Sequence, residues 1–146
     1  MAEPAELVVD ASIIARWHLK NPPYLNQSLL VENDFRHNRL SLVAPSNMVV
    51  EVAGAIYRAI KTRAVSQEPG EQRIQELINL DIPTVDSRDL LLPAYEIASR
   101  FGCSFYDGIY LAVSERLGLR FVHADESLKR ALRGRFALEL WIEDYR

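Results

Sequence analysis

The chain of 146 residues carries 17 basic and 20 acidic side chains, a net charge of −3, with 49% apolar and 25% charged residues. That balance belongs to a soluble globular protein and excludes a disordered chain, a collagen and a disulfide-rich secreted scaffold. The single cysteine, Cys103, can build neither an internal disulfide nor a thiolate metal site, and no global positive field gathers nucleic acid. The acidic start lacks the basic head and long apolar stretch of a signal peptide, and no apolar run is long enough to span a bilayer. The expectation is a cytoplasmic protein with no membrane partner, built as one domain over residues 1–146.

In chain order, Leu7-Val8-Val9 reads as a short buried strand ending at Asp10. Ser12 to Lys20 follows as a helix stopped by Asn21-Pro22-Pro23, and Tyr24 to His37 as a second helix. Leu42-Val43-Ala44 is strand two. Ser46 or Asn47 caps a long helix through Arg63 with Val49, Val52, Ala53, Ile56 and Ile60 on one stripe. Glu68-Pro69-Gly70 is a turn and Glu71 to Leu80 a helix. Ile82 to Val85 is strand three, placed at a sheet edge by its proline. Asp86 or Ser87 caps a helix to about Arg100, which Gly102 ends, and Ser104 starts another that ends at Leu117-Gly118. Arg120 to His123 is strand four, Glu126 to Leu132 a short helix and Leu138 to Trp141 strand five. This alternation predicts an α/β fold, a five-stranded parallel sheet flanked by helices on both faces. Ligands of such sheets bind beyond the carboxyl ends of the strands.

Four carboxylates stand in apolar company. Asp10 follows the first strand, and Asp125 closes Phe121-Val122-His123-Ala124-Asp125. Glu51 interrupts Met48-Val49-Val50-Glu51-Val52-Ala53, and Asp107 sits in Phe105-Tyr106-Asp107-Gly108-Ile109-Tyr110. An ionised carboxylate in such a setting is costly unless it is paired or coordinates a metal. One sheet edge would collect all four, and a self-repelling oxygen cluster favours Mg²⁺ or Mn²⁺ over Zn²⁺. Simpler roles stay open: Asp10 and Asp125 as helix caps, Asp107 as a first-turn acid favoured by the helix dipole, and Glu51 in a salt bridge to Arg16 or Arg58.

Taken together these motifs resemble the PIN-domain nucleases, and most closely the VapC-type toxins of prokaryotic toxin–antitoxin pairs. Val8 to Trp17 looks like the family's first strand and acidic motif. Glu51 in Pro45 to Val52 matches its helix glutamate, Ser104 to Ala112 its third acidic motif, and Ala124 to Leu128 its fourth. The order covers essentially the whole chain. One departure is His123, where relatives usually carry Thr or Ser two residues before the fourth acid to support the acidic pocket; it is structural, donates a hydrogen bond in the hydroxyl's place, contacts a substrate phosphate, or marks a modified or weakened site.

The resemblance implies metal-dependent hydrolysis of single-stranded RNA, with Mg²⁺ or Mn²⁺ activating a water and spreading charge on the phosphate. It implies Asp10 and Asp107 as principal ligands and Asp125 as a third. Glu51 becomes a ligand of a second ion or the group that orients the water. Ser12 and Ser104 support the carboxylates or simply cap helices. Lys129, Arg130 and Arg133, with Arg135, form a basic cluster beside the fourth motif that can track an RNA backbone, and Arg58, Lys61 and Arg63 form another. Trp17, Tyr106 and Tyr110 stack bases or belong to the core, and His18 and His37 are helix-surface residues. The resemblance also implies a homodimer and an antitoxin protein whose tail enters the acidic site. A catalytically weak fold that binds RNA or protein as a scaffold is the alternative. A phosphatase of the haloacid dehalogenase kind needs Asp-x-Asp, against Asp10-Ala11-Ser12 here, and no glycine-rich phosphate loop exists.

Overall fold

The computed structural model describes residues 3–62 and 70–146. Among the described residues five strands alternate with seven helices: β1 (Ala5–Val9), α1 (Ala11–Arg16), α2 (Leu25–Arg36), β2 (Leu40–Pro45), α3 (Met48–Lys61) and α4 (Gly70–Asn79). Then follow β3 (Thr84–Val85), α5 (Leu91–Phe101), α6 (Phe105–Leu117), β4 (Phe121–His123), α7 (Glu126–Leu132) and β5 (Glu139–Trp141). All strand pairs are parallel, in the order β3-β2-β1-β4-β5. The sequence expectation of a five-stranded parallel α/β sheet therefore holds. Leu7 to Val9, Leu42 to Pro45 and Phe121 to His123 are buried without alternation, as strands covered on both faces must be.

Several boundaries differ from the sequence reading. The first helix stops at Arg16 instead of Lys20. Beyond it the chain folds back: Arg16 Nε donates to Pro23 O at 2.9 Å, Trp17 Nε1 donates to Ser28 O at 2.8 Å, and Asn21 and Tyr24 take left-handed φ angles. That fold-back puts His18 inside rather than on a helix surface, with its carbonyl accepting from Arg73 Nη1 at 3.3 Å. His37 is exposed, as read. Strand three shrinks to Thr84–Val85, because Pro83 has no N–H to give the ladder, although its carbonyl still accepts from the Ala44 amide at 3.1 Å. It does lie at the sheet edge. The next segment splits into a 3-10 turn, Ser87–Leu90, capped by Asp86, and then α5, whose first turn tolerates Pro93. Arg63 and the turn at Glu68-Pro69 lie outside the described residues.

The strand order fixes where a ligand crevice must be. From β1 the chain moves one way to β2 and β3, then returns to place β4 and β5 on the other side. The crevice of such a sheet opens at that reversal, beyond the carboxyl ends of β1 and β4. Asp10 and Asp125 follow those two ends.

α5 and α6 meet at unusually close range, and Gly108 permits it. A Cβ built there would stand 2.6 Å from the Ala94 carbonyl oxygen and 3.1 Å from Ala98 Cβ. Since one obstacle is backbone, an added methyl must push the helices apart. Gly108→Ala should lower stability by about 1–3 kcal/mol in urea unfolding, and it should disturb the neighbouring Asp107. An unchanged midpoint would show that the helix pair slides freely.

Candidate active site

Asp10 caps α1: its Oδ2 accepts from the Ser12 amide at 3.2 Å. Asp125 caps α7 in the same way, with Oδ1 accepting from the Leu128 amide at 3.1 Å. The capping reading is thus true of both, yet a cap engages only one face of a carboxylate. The two turns are laced together. Ser12 Oγ accepts from the Ala124 amide at 3.1 Å. Arg16 reaches three carbonyl oxygens, those of Ser12 (2.7 Å), Pro23 (2.9 Å) and Ala124 (3.4 Å). This guanidinium joins the fold-back after α1 to the turn that carries Asp125.

Glu51 stands in the first turn of α3, half-buried. Its Oε1 accepts from Asn47 Nδ2 and from Tyr110 Oη, the latter at 3.2 Å. Among the described residues it forms no ion pair, so the expected bridge to Arg16 or Arg58 is replaced by two neutral donors. Asp107 lies in the first turn of α6, where Ser104 Oγ accepts from its amide at 3.0 Å. Four elements thereby bring Asp10, Glu51, Asp107 and Asp125 to one open cleft of about 480 Å³, with Ser12, Arg58 and Tyr106 also on its walls.

The electrostatics of this cleft are unbalanced. Asp10 is only 7% exposed, and burial pushes its carboxyl up to about 6, with the Asp107 charge adding and the Ser12 hydrogen bond opposing. Burial raises Glu51 as well, against the hydrogen bonds from Tyr110 and Asn47. Burial likewise raises Asp107, helped by the Asp125 charge. Burial also drives the Tyr110 phenol far upward, so it stays a proton donor to Glu51. Arg16 is lowered by burial, while Asp10 and Asp125 pull it back.

Such a set of oxygen donors without a paired cation suits a hard divalent ion. Placed as they are, no three His, Cys, Asp or Glu side chains among the described residues group tightly enough to hold a metal. The donor chemistry, all oxygen, fits a hard divalent ion such as Mg²⁺ or Mn²⁺.

His123 does not face the cleft. It is fully buried, stacked on Phe121 (5.3 Å, 9°) and edge-on to Trp141 (5.3 Å). Its Nδ1 accepts from the Asp125 amide at 3.2 Å, which leaves the ring proton on Nε2, 2.7 Å from Glu139 Oε2. The residue thus steadies Asp125 from beneath. Lys129, Arg130 and Arg133 line a neighbouring hollow of about 490 Å³ with Tyr24, Trp141, Glu126 and Glu143, and Lys129 Nζ sits 4.6 Å from the Trp141 ring centre. A third hollow, of about 470 Å³, contains Arg16, Arg130, Ser12 and Asp125 and so joins the acidic cleft to the basic one. Arg135 packs over Phe101 instead.

Sequence reading named Asn47 only as a cap of α3, where its side chain makes no capping hydrogen bond and donates to Glu51 instead; it missed that contact, the lacing by Arg16 and the Tyr110–Glu51 hydrogen bond. Tyr110 was legible as the residue one turn after Asp107 on the same helix face. The partners of Arg16 belong to loops whose path no pattern announces.

The raised carboxyl of Asp10 gives a stability prediction with a definite sign. Below the ordinary value of 3.8 the folded and unfolded chains both hold the proton; above about 6 the folded chain carries a buried charge costing up to about 3 kcal/mol. Asp10→Asn keeps a capping side chain and should melt higher than the parent at pH 8 in EDTA. The gain should shrink as pH falls through 6 and vanish near 4. Equal melting at pH 8 would show that Asp10 is already neutralised.

The crystal structure of PAE2754 from Pyrobaculum aerophilum is similar over 96% of this chain and 92% of that one, with a TM-score of 0.61. At 18% identity that likeness shows a shared fold. Among curated proteins none matches. The family model described as PIN domain matches residues 7–133, a stretch that holds all four carboxylates and the three basic residues beside Asp125. This chain belongs to the PIN domain family.

Proposed function

We propose that the chain is a Mg²⁺- or Mn²⁺-dependent endoribonuclease acting on single-stranded RNA, and the toxin of a toxin–antitoxin pair. PIN domains are commonly metal-dependent nucleases, which supports the general class. The observation that carries the reading is that Asp10, Glu51, Asp107 and Asp125, from four separate elements, all line one cleft at the sheet's reversal point.

In this reading Asp10, Asp107 and Asp125 hold the ion. When bound, it lowers the pKa of a water and stabilises charge on the phosphate. Glu51 orients the attacking water. Its Oε1 is engaged by Tyr110 and Asn47, leaving Oε2 to accept the water's proton. Burial raises this carboxyl towards the range where a general base works well. The water oxygen bonds to phosphorus, one P–O ester bond breaks, and the leaving oxygen takes a proton from solvent. Lys129, Arg130 and Arg133 neutralise backbone phosphates along the adjoining hollows. Ser12 and Ser104 fix the turns on which the acids sit.

A homodimer and an antitoxin protein that places a basic side chain among the acids complete the reading. Exposed Leu92 and Tyr95, one turn apart on α5, offer apolar surface for a second copy. Leu92→Glu should then turn a dimer into a monomer in sedimentation. No shift, or a monomeric parent, would remove the dimer.

One observation favours a second reading, a scaffold that binds without cutting: the carboxylates line the cleft without converging. The deciding experiment is cleavage of single-stranded RNA with Mg²⁺, Mn²⁺ or EDTA. The parent should cut only with the ion, and Asp10→Asn, Asp107→Asn and Glu51→Gln should each lose about 100-fold or more. Cleavage equal in all variants would discard this site. A parent that binds RNA without cutting it would establish the scaffold.

A further inference from the structure

The wall of the acidic cleft formed by α3 and the start of α6 carries more than its two acids, Glu51 and Asp107. Glu51, Gly54, Ala55 and Arg58 follow one another on a single face of α3 and line the cleft together. Arg58 lies two turns, about 10 Å, along the axis from Glu51. Among the described residues its guanidinium makes no ion pair and no hydrogen bond, although four carboxylates line the same cleft. Gly54 leaves the floor open, for a Cβ there would meet only Arg58 Nη1, at 3.7 Å. On the lip stands Tyr106, 64% exposed, and Val50, 73% exposed, lines the same cleft. Tyr106 has no ring contact and no hydrogen bond to its hydroxyl among the described residues. The two other aromatics that sequence reading left as stacking candidates are engaged elsewhere. Trp17 stacks on Phe35 at 6.4 Å and donates to Ser28 O, and Tyr110 is buried against Glu51.

We propose that Tyr106, Val50 and Arg58 form a nucleobase subsite beside the acids, where one base of a single-stranded RNA lies on the Tyr106 ring against Val50 and Arg58 meets the adjoining phosphate. The inference rests on the nuclease reading of the same cleft and adds a polarity to it. On the Lys129, Arg130 and Arg133 side the groove holds backbone by charge; on the Tyr106 side it holds a base by its face. A base presents an apolar face next to an anionic phosphate, and an exposed ring, an exposed valine and an unpaired cation around an open floor complement both. Charge alone would leave Tyr106 and Val50 without a part.

The test is binding of a labelled single-stranded RNA of about a dozen nucleotides, measured by anisotropy with Ca²⁺ as the cation and at several salt concentrations. Tyr106→Ala should weaken binding about tenfold or more, while Tyr106→Phe stays within about twofold of the parent. The salt slope should be unchanged in Tyr106→Ala and should fall by about one in Arg58→Ala. An abasic nucleotide scanned along the RNA supplies a cycle with the protein variant. At one position, removing the base should weaken the parent as much as Tyr106→Ala does and should cost that variant nothing further. Losses that add at every position would overturn the subsite, as would a Tyr106→Ala protein that binds RNA like the parent. If that variant instead changes its sedimentation with RNA affinity intact, the face is a protein contact and the subsite is wrong. A parent that cuts RNA while Tyr106→Ala binds normally removes this inference alone. A parent that neither binds nor cuts any RNA removes the nuclease reading with it.

Discussion

The parallel pairing of β1 with β4 is the constraint on which the cleft depends. It sets Val9 level with Val122, and the Asp10 amide continues the ladder by donating to the Val122 carbonyl at 3.0 Å. Two turns are thereby forced to leave the sheet side by side. Ser12 Oγ and the Arg16 guanidinium then tie one turn to the other. Because a side-chain slip of one residue would send Asp10 to the opposite face, the ladder also decides which carboxylate enters the cleft. Backbone pairing thus delivers Asp10 and Asp125 to the same cleft from neighbouring strand ends.

That repulsion and the burial of Asp10 are local costs that the rest of the molecule carries. The core beneath is continuous, from Leu7 to Val9 through Phe121 and Val122 to Leu111 and Val113, all buried. A strained or charged site persists where its surroundings leave it no alternative position. Here the surroundings include close helix packing at Gly108, which fixes the start of α6 and with it Asp107. The charge that destabilises the fold is also what would attract the divalent cation of the proposed function, so stability and that function would pull in opposite directions at these residues.

Much of this was legible in the sequence because strand–helix alternation, caps and apolar runs are local. Asp10, Glu51, Asp107 and Asp125 were visible as acids in apolar company, and the fold's parallel order gave them one edge. What escaped was set by contacts between distant segments. The first helix reads as continuing to Lys20, since nothing local says that Arg16 will be drawn to the carbonyls of Pro23 and Ala124. His18 reads as a surface residue for the same reason. His123 reads as an intruder near the acids; only the register of β4 against β5 reveals that its partners are Glu139 and Trp141. Tyr106 and Tyr110 look alike in sequence, four apart, yet one is at the lip and the other in the core.

That register also explains how the His123 ring is accommodated at the end of β4. Phe121 and His123 share one face of β4, and Glu139 and Trp141 share one face of β5. The rings follow in series: Tyr110 to Phe121 at 5.8 Å, Phe121 to His123 at 5.3 Å, His123 to Trp141 at 5.3 Å and Trp141 to Tyr24 at 5.1 Å. The series begins at the hydroxyl that steadies Glu51. It ends beside Lys129 and at Tyr24 Oη, which donates to Glu126 at 2.5 Å. A small hydroxyl at position 123 would leave a gap in the middle of this layer and would orphan the Glu139 carboxylate. The imidazole fills the gap, satisfies Glu139 with one nitrogen and accepts the Asp125 amide with the other. Both its nitrogens are therefore committed to structure, and the consequence for the cleft is a held Asp125.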